Sequence, residues 1–185
     1  MSAQSQPATG LATWKIDPAH SEVGFSVRHM MISNVRGRFS DVSGTVQFDP
    51  ADPTSGSVEA SMSVASIDTR AEGRDNHLRS ADFFDVEHYP TISFKSKRIE
   101  RGRGDNYRIV GDLSLRDTTR EIVLDAEFNG THPDNYGNVR AGFSASTSFN
   151  RFDFGLNWNA AIETGGVVVG DTVKVTLEIE AVRQQ

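Results

Sequence analysis

Cysteine is absent from this chain of 185 residues. Its absence excludes disulfide bonds, thiol nucleophiles and cysteine-ligated metal sites, and it is typical of proteins in a reducing compartment. No excess of positive charge is present either, because 19 Lys and Arg stand against 25 Asp and Glu and the formal net charge is -6. A general affinity for nucleic acid or for an anionic membrane is therefore not expected.

The sequence also lacks any apolar run long enough to cross a membrane as a helix. Residues 1–10 contain neither the charged nor the apolar stretch of a secretory signal. We therefore predict a disordered leader over residues 1–12, a single domain over residues 13–182 and no stable insertion into a membrane. The expected location is the cytoplasm, or the periplasm if a leader was removed.

Motifs for catalysis and metal binding are missing as well. The histidines at positions 20, 29, 77, 88 and 132 show no HxH or HExxH spacing. Gly142–Ser146 misses the nucleophile elbow by its last residue and lies within a strand pattern. We therefore expect no metal, no cofactor and no catalytic residue, and we predict that the protein is not an enzyme.

What the chain has in abundance is an alternation of apolar and polar residues. Near the C-terminus Val173, Val175, Leu177, Ile179 and Ala181 alternate with polar side chains. A period of two is typical of a strand with one buried face. The same pattern recurs along most of the sequence and predicts a large antiparallel sheet.

About eight long strands follow from this pattern, and the first of them is interrupted by Pro18 because proline cannot donate to a β-ladder. A polar stretch near residues 70–80 breaks the period, and its capping-box spacing at Thr69–Glu72 predicts a short helix. Strands of this length favour an eight-stranded antiparallel β-barrel, with a β-sandwich as the alternative. The predicted strands are Thr13–Asp17 with Glu22–His29, Val35–Phe48, Ser57–Ile67, Thr91–Ile99, Tyr107–Leu115, Thr119–Phe128, Val139–Phe149 and Thr172–Val182.

The segment Arg74–Pro90 combines a high density of charge with aromatic residues. It can plug one end of a barrel with its apolar side chains, or it can gate the access of a ligand. The sequence leaves both interpretations open.

Several short motifs follow one another along residues 13–182. They are Ile16–Ser21, Phe25–His29, Val35–Phe39, Arg74–Pro90, Gly111–Leu113, Asn150–Gly155 and Gly170–Val173. Taken together and in this order, they resemble the YceI-like family of polyisoprenoid-binding proteins with a lipocalin-like barrel. One departure from the family pattern is Arg116-Asp117, where many relatives have a His-Gly pair.

The resemblance implies an isoprenoid, an isoprenoid quinone or another long-chain lipid as the ligand. The predicted wall of the barrel is apolar, and a wall of this kind suits both a lipid cavity and a packed core, so the alternation does not decide between them. The predicted ligand contacts in the wall are Phe25, Val27, Phe48, Met62, Val64, Ile92, Phe94, Leu113, Leu115, Phe143, Phe149, Val173 and Val175, with Val46 on the same face. Those in the Arg74–Pro90 segment are Asp75, Arg79, Phe83 and Phe84.

Three functions follow as hypotheses. The first is a non-enzymatic carrier or store of a long-chain amphiphile. The second is a small-molecule enzyme that uses Asp75, His77 and Arg79 at the barrel mouth, and the third is a packed barrel that binds another protein. A homodimer is an assembly that the sequence also permits.

Overall fold

The computed structural model describes residues 10–162 and 166–185. Most of them lie in β-strands, and the predicted leader falls largely on residues 1–9, outside the described part. The strands are β1 Ala12–Ile16, β2 Glu22–His29, β3 Ser33–Phe39, β4 Val42–Phe48, β5 Ser57–Ser63, β6 Ile67–Asp68, β7 Thr91–Arg101, β8 Asn106–Leu115, β9 Thr118–Pro133, β10 Val139–Asn150 and β11 Val169–Arg183. One α-helix, α1, spans Glu72–Arg79.

The strands close into a ring. Neighbours follow the order β1, β4, β5, β7, β8, β9, β10 and β11, and β11 pairs with β1 again. The closing pair joins Trp14 to Arg183 in antiparallel register. This confirms the predicted eight-stranded antiparallel barrel, because a sandwich would leave its two sheets open at their edges.

Three of the eight strands in the wall are broken into two pieces. β1 and β2 both pair with β11, one after the other. β1 pairs with Ala181–Arg183 and β2 with Val173–Glu178, and a 3-10 turn at Pro18–His20 separates the two strands. This is the predicted kinked strand. The predicted strand Val35–Phe48 is likewise divided into β3 and β4. β3 pairs with β2, and β4 pairs with β1.

The third broken strand leaves one end of the barrel without a complete ladder. β5 ends at a 3-10 turn, Val64–Ser66, and β6 then pairs with β3 only through Arg38 and Phe39. The helix α1 and the segment 80–90 cover this end, where the ring of Phe84 packs edge-on against Phe39 with centroids 5.7 Å apart. We call this end the mouth.

The start of α1 differs from the predicted capping box. Ala71 occupies the N-cap and contributes no side-chain hydrogen bond. Thr69 instead donates through its backbone N–H and its hydroxyl to one carboxylate oxygen of Asp75, at 2.9 and 2.5 Å. The helix is therefore fixed at its start by a side chain from within its first turn.

Two glycines on inward positions make room for aromatic rings across the strands. A Cβ on Gly37 would lie 2.8 Å from Cε1 of Phe25, and one on Gly111 would lie 2.6 Å from Cζ of Phe94. Without a side chain, each glycine lets the ring lie flat over the backbone. The apolar faces of the strands thus converge inside the barrel, as the alternation predicts.

The opposite end is filled by large side chains, and we call it the closed end. Trp14 is completely buried, and its indole N–H donates to the carbonyl of Phe48 at 3.3 Å. The rings of Phe48, Phe128 and Phe143 pack against one another with centroids 4.8 to 5.6 Å apart. Any molecule inside the barrel therefore has its exit at the mouth.

Candidate ligand cavity

Between these two ends the barrel encloses a cavity of about 410 Å³. This volume lies within the range of about 300–1,000 Å³ that is typical of small-molecule sites. Of the two interpretations that the alternation leaves open, the structure thus supports a cavity. Among the named strands, every one except β6 contributes inward-facing apolar side chains to its walls.

Most of the residues predicted to face a ligand line this cavity. They come from seven strands and from the segment 80–90, so residues far apart in the chain are brought together around one volume. The predicted residues that line it are Phe25, Val27, Val46, Phe48, Met62, Phe83, Phe84, Ile92, Phe94, Leu113, Leu115, Phe143, Phe149, Val173 and Val175.

Val64 does not line the cavity. It lies in the 3-10 turn that ends β5, where the period of two is lost, and it is 1% exposed within the core cluster near the mouth. Its role in the structure is to anchor that turn through packing.

Asp75 and Arg79 are also outside the cavity lining. Asp75 is buried and bonds to Thr69, while Arg79 donates to the carbonyls of Ala65 and Ile67 at 3.2 and 2.9 Å. Both side chains attach α1 to the end of the wall. They are four residues apart and share one helix face, which is turned towards the protein backbone.

His77 lies on the other face of α1 and lines the cavity. Its Nε2 is 2.8 Å from the carboxylate of Asp82. The three residues of the enzyme hypothesis, Asp75, His77 and Arg79, therefore do not converge on one point, because the two outer ones are turned away from the cavity.

Aromatic rings around His77 form a cluster at the mouth. The ring centroid of Trp158 is 4.7 Å from that of His77 and 5.4 Å from that of Phe83, and all three rings line the cavity. Trp158 lies in an irregular Gly-rich stretch, so no periodic pattern predicts its orientation. We call His77, Phe83 and Trp158 the mouth aromatics.

Arg151 is a second cavity-lining residue that the sequence analysis missed. Its side chain is 2% exposed and donates to the carbonyls of Leu156, Trp158, Val169 and Gly170 at 2.6 to 3.2 Å. Burial lowers the pKa of Arg151, because desolvation disfavours the charged form. The guanidinium thus ties the stretch that carries Trp158 to the start of β11.

The polar donors of the cavity are concentrated at the mouth. Arg74, His77 and Arg151 line that end, whereas most of the deeper lining is aliphatic and aromatic, with Glu127 beside Phe128 as an exception. The arrangement can accept a molecule with a long apolar part and a polar head.

One cluster of potential metal donors lies near the closed end, where Asp17, His20 and Glu180 have ligand atoms within 4.8 Å of one another. Arg140 occupies it, since its Nη1 is 2.7 Å from both Asp17 and Glu180 and its Nε is 3.0 Å from Asp134. The hydrogen bonds from Arg140 and His20 lower the pKa of Asp17 to about 2. The carboxylates are thus paired with a guanidinium in the place where a metal ion would bind, and the cluster ties β1, β10 and β11 together.

A family comparison decides the relationship of this barrel to known proteins. The sequence pattern of the YceI-like domain matches residues 14–181. The chain belongs to the YceI-like family. A UPF0312 protein of Staphylococcus epidermidis is 38% identical over 172 residues, which cover 92% of this chain and 97% of that protein.

Two solved structures show the same fold. The YceI protein of Campylobacter jejuni is 31% identical with a TM-score of 0.73, and the match covers 85% of this chain and 90% of that one. A polyisoprenoid-binding domain from Saccharophagus degradans is 17% identical with a TM-score of 0.69, over 95% of this chain and all of that one. That domain is implicated in plant cell wall breakdown. Among the described residues of the present chain, α1 is far too short and polar to cross a bilayer.

Proposed function

We propose that this YceI-like protein binds a polyisoprenoid, an isoprenoid quinone or a similar long-chain amphiphile in its barrel, and that it carries or stores this lipid without a catalytic step. The observation that carries the proposal is the apolar cavity of about 410 Å³ with one polar end. The polyisoprenoid-binding domain from Saccharophagus degradans, which has the same fold, supports a ligand of this class.

The shape of the cavity favours an amphiphile over a compact polar molecule. An apolar chain fits between Phe48 and Phe143 at the closed end and Phe94 and Phe149 towards the mouth. A head group then lies beside His77, where hydrogen-bond donors are available. The ligand thus enters tail first, and its head is held close to solvent.

Apolar burial alone can supply useful affinity. Transfer of about ten methylene-sized groups from water is worth about 8 kcal/mol at about 0.8 kcal/mol each. Ordering of the chain and loss of translational freedom reduce this value. Binding therefore needs good contact along the wall, and it needs no catalytic residue.

The direct test is the identity of the molecule that accompanies the protein. The chain is purified without detergent and extracted with organic solvent, and the extract is identified by mass spectrometry. We expect an isoprenoid chain or a related lipid in near-stoichiometric amount. Binding of all-trans-retinol, a fluorescent isoprenoid, to the extracted protein provides an independent measurement.

A matched pair of variants links the lipid to the cavity. Ala145 lines the cavity from β10, whereas its neighbour Ser146 is exposed on the outer face. Ala145→Phe fills the volume and should remove most of the bound lipid and most of the retinol signal. Ser146→Phe adds the same ring outside and should change neither. Equal lipid content in the two variants would contradict the proposal.

A further inference from the structure

The hairpin between β2 and β3 ends in three apolar residues, Met30, Met31 and Ile32. Their exposed fractions are 42%, 59% and 80%, so they are among the most exposed large apolar side chains of the protein. We call these three residues the hairpin tip. Single exposed apolar residues are common on protein surfaces, but three in succession at a strand turn are a patch that needs a reason.

The backbone of the tip makes the patch more unusual. Met30 and Met31 both have positive φ, 49° and 64°. Asn and Gly are the residues that usually occupy such positions in a tight hairpin, because side chains beyond Cβ strain this conformation. Apolar side chains thus occupy a turn whose backbone conformation Asn or Gly would adopt with less strain.

The tip lies directly on the rim of the cavity. The N–H of Met30 donates to the carbonyl of Val168 at 2.8 Å, and both His29 and Val168 line the cavity. The sulfur of Met31 lies against Gly166. On its other side the hairpin extends beyond β6, which pairs with β3 no further than Arg38. The tip therefore projects from the mouth.

The charge of the hairpin is positive although the chain is negative overall. Residues 23–40 contain Arg28, Arg36 and Arg38 and no Asp or Glu, whereas the formal net charge of the chain is -6. Arg38 is paired with Glu22 and Asp68. Within residues 10–162 and 166–185, no carboxylate lies within ion-pair distance of Arg28 or Arg36.

From the exposed tip, its cationic flanks and its place beside the mouth, we propose that the β2–β3 hairpin docks the barrel onto an anionic phospholipid bilayer. Met31 and Ile32 enter the headgroup region, and Arg28 and Arg36 face the lipid phosphates. The mouth then opens towards the bilayer, and a hydrophobic ligand can pass between membrane and barrel without crossing water. The contact is peripheral.

A folded protein partner fits this patch less well. Stable protein interfaces bury about 800 Å² on each side and involve about 20–30 residues. Three side chains at the end of a hairpin offer a small part of that area. A bilayer has no such requirement, because insertion of a few apolar side chains together with nearby basic residues is enough for reversible attachment.

The test is co-sedimentation of the full chain with vesicles of equimolar phosphatidylcholine and phosphatidylglycerol. The double variant Met31→Ser with Ile32→Ser should lower the partition coefficient about tenfold or more, as expected for two apolar side chains left in water. Arg36→Gln should lower it about fivefold, and the loss should shrink at high salt. Vesicles of phosphatidylcholine alone should bind the chain weakly.

Tyr136→Ser is the matched control. Tyr136 is 88% exposed and lies in the turn between β9 and β10. This turn is at the closed end, as the pairing of nearby Arg140 with Val182 near the C-terminal end of β11 shows. The β2–β3 hairpin lies at the other end of β11, where His29 pairs with Val169. This variant should bind vesicles like the wild type. Circular dichroism of each variant shows whether the barrel is intact.

Two results would overturn the docking proposal. One is a wild-type chain that does not sediment with anionic vesicles, and the other is a folded tip variant that sediments as well as the Tyr136 control. The docking proposal goes beyond lipid binding in the barrel and is measured separately from it. A barrel found empty by extraction, in a chain that still sediments with vesicles, would contradict the carrier function alone.

Discussion

The guanidinium of Arg151 donates a hydrogen bond to the carbonyl of Trp158 at 2.8 Å, so a buried cation holds the backbone of a residue whose ring lies at the mouth. Within the described residues no carboxylate forms a direct ion pair with this charge, although the charge of Asp171 partly opposes the lowering of its pKa, and its hydrogen bonds go to four backbone carbonyls. Such carbonyls, buried without a donor, are costly.

Arg151→Met should therefore destabilise both the protein and the mouth. Loss of the hydrogen bonds to the four carbonyls should lower the free energy of unfolding by about 3 kcal/mol or more. Arg151→Lys keeps the charge but reaches fewer carbonyls, so it should lower the free energy of unfolding by a smaller but measurable amount. Urea denaturation followed by circular dichroism measures both, and a methionine variant as stable as the wild type would refute this account of Arg151.

Trp158→Ala should loosen the mouth without emptying the cavity. The variant removes the ring that packs on His77 and Phe83, with centroids 4.7 and 5.4 Å away. The dissociation rate of bound all-trans-retinol, followed by its fluorescence in stopped flow, should rise several-fold. Tyr136→Ala at the closed end should leave the rate unchanged, and a rate equal in both variants would show that the mouth aromatics do not limit exit.

Gly111→Ala should destabilise the barrel by about 1–3 kcal/mol, as is typical of overpacking. The added Cβ would lie 2.6 Å from Cζ of Phe94 and 2.8 Å from the Cα of Ser96, so both a ring and a backbone must move. Gly73→Ala is the control, since a Cβ there meets nothing within 4 Å. Because Gly73 lies in α1, its replacement should instead stabilise by about 0.5–1 kcal/mol. Thermal unfolding of the two variants should thus shift in opposite directions.

The Arg140 cluster should make part of the stability depend on pH. The pKa of Asp17 is lowered to about 2 in the folded protein from an ordinary value of 3.8, so its contribution is present above about pH 4 and is lost as the pH falls through about 2. Arg140→Gln removes the strongest cause of this shift. The variant should be less stable than the wild type near neutral pH, and the difference should decrease in acid.

Denaturant unfolding at a series of pH values tests this prediction. An NMR titration of the Asp17 carboxyl should show a higher pKa in Arg140→Gln than in the wild type. A difference in stability that stays constant down to about pH 2 would mean that Arg140 acts through packing alone.

The alternation of apolar residues was sufficient to predict the barrel and most of its inner face, because the side-chain period of a strand is strict. Val173 and Val175 face inward as predicted, and so do Ile92 and Phe94. The period fails where the backbone leaves the strand. Val64 falls in a 3-10 turn, and β7 contains an irregularity between Ser96 and Arg98.

The side chains that line the mouth were harder to predict, because their positions depend on hydrogen-bond partners and not on periodicity. Asp75 and Arg79 carry the charge typical of a binding site, but their hydrogen bonds go to the protein itself, and a sequence does not show the partner of a side chain. Arg151 and Trp158 depend on carbonyls and rings in an irregular stretch without periodicity. Family resemblance pointed to Asn150–Gly155 as a motif, and the structure explains it as a capped 3-10 turn that places Arg151.

The pairing of Trp14 with Arg183 has a consequence for how this chain folds. The two residues lie near opposite ends of the sequence, so closure of the ring requires a contact of very large sequence separation, and contacts of this kind are slow to form. During synthesis the barrel cannot close until Arg183 has emerged from the ribosome. The apolar inner faces of the earlier strands are exposed until then, and this interval is when the nascent chain is most prone to aggregate or to engage a chaperone.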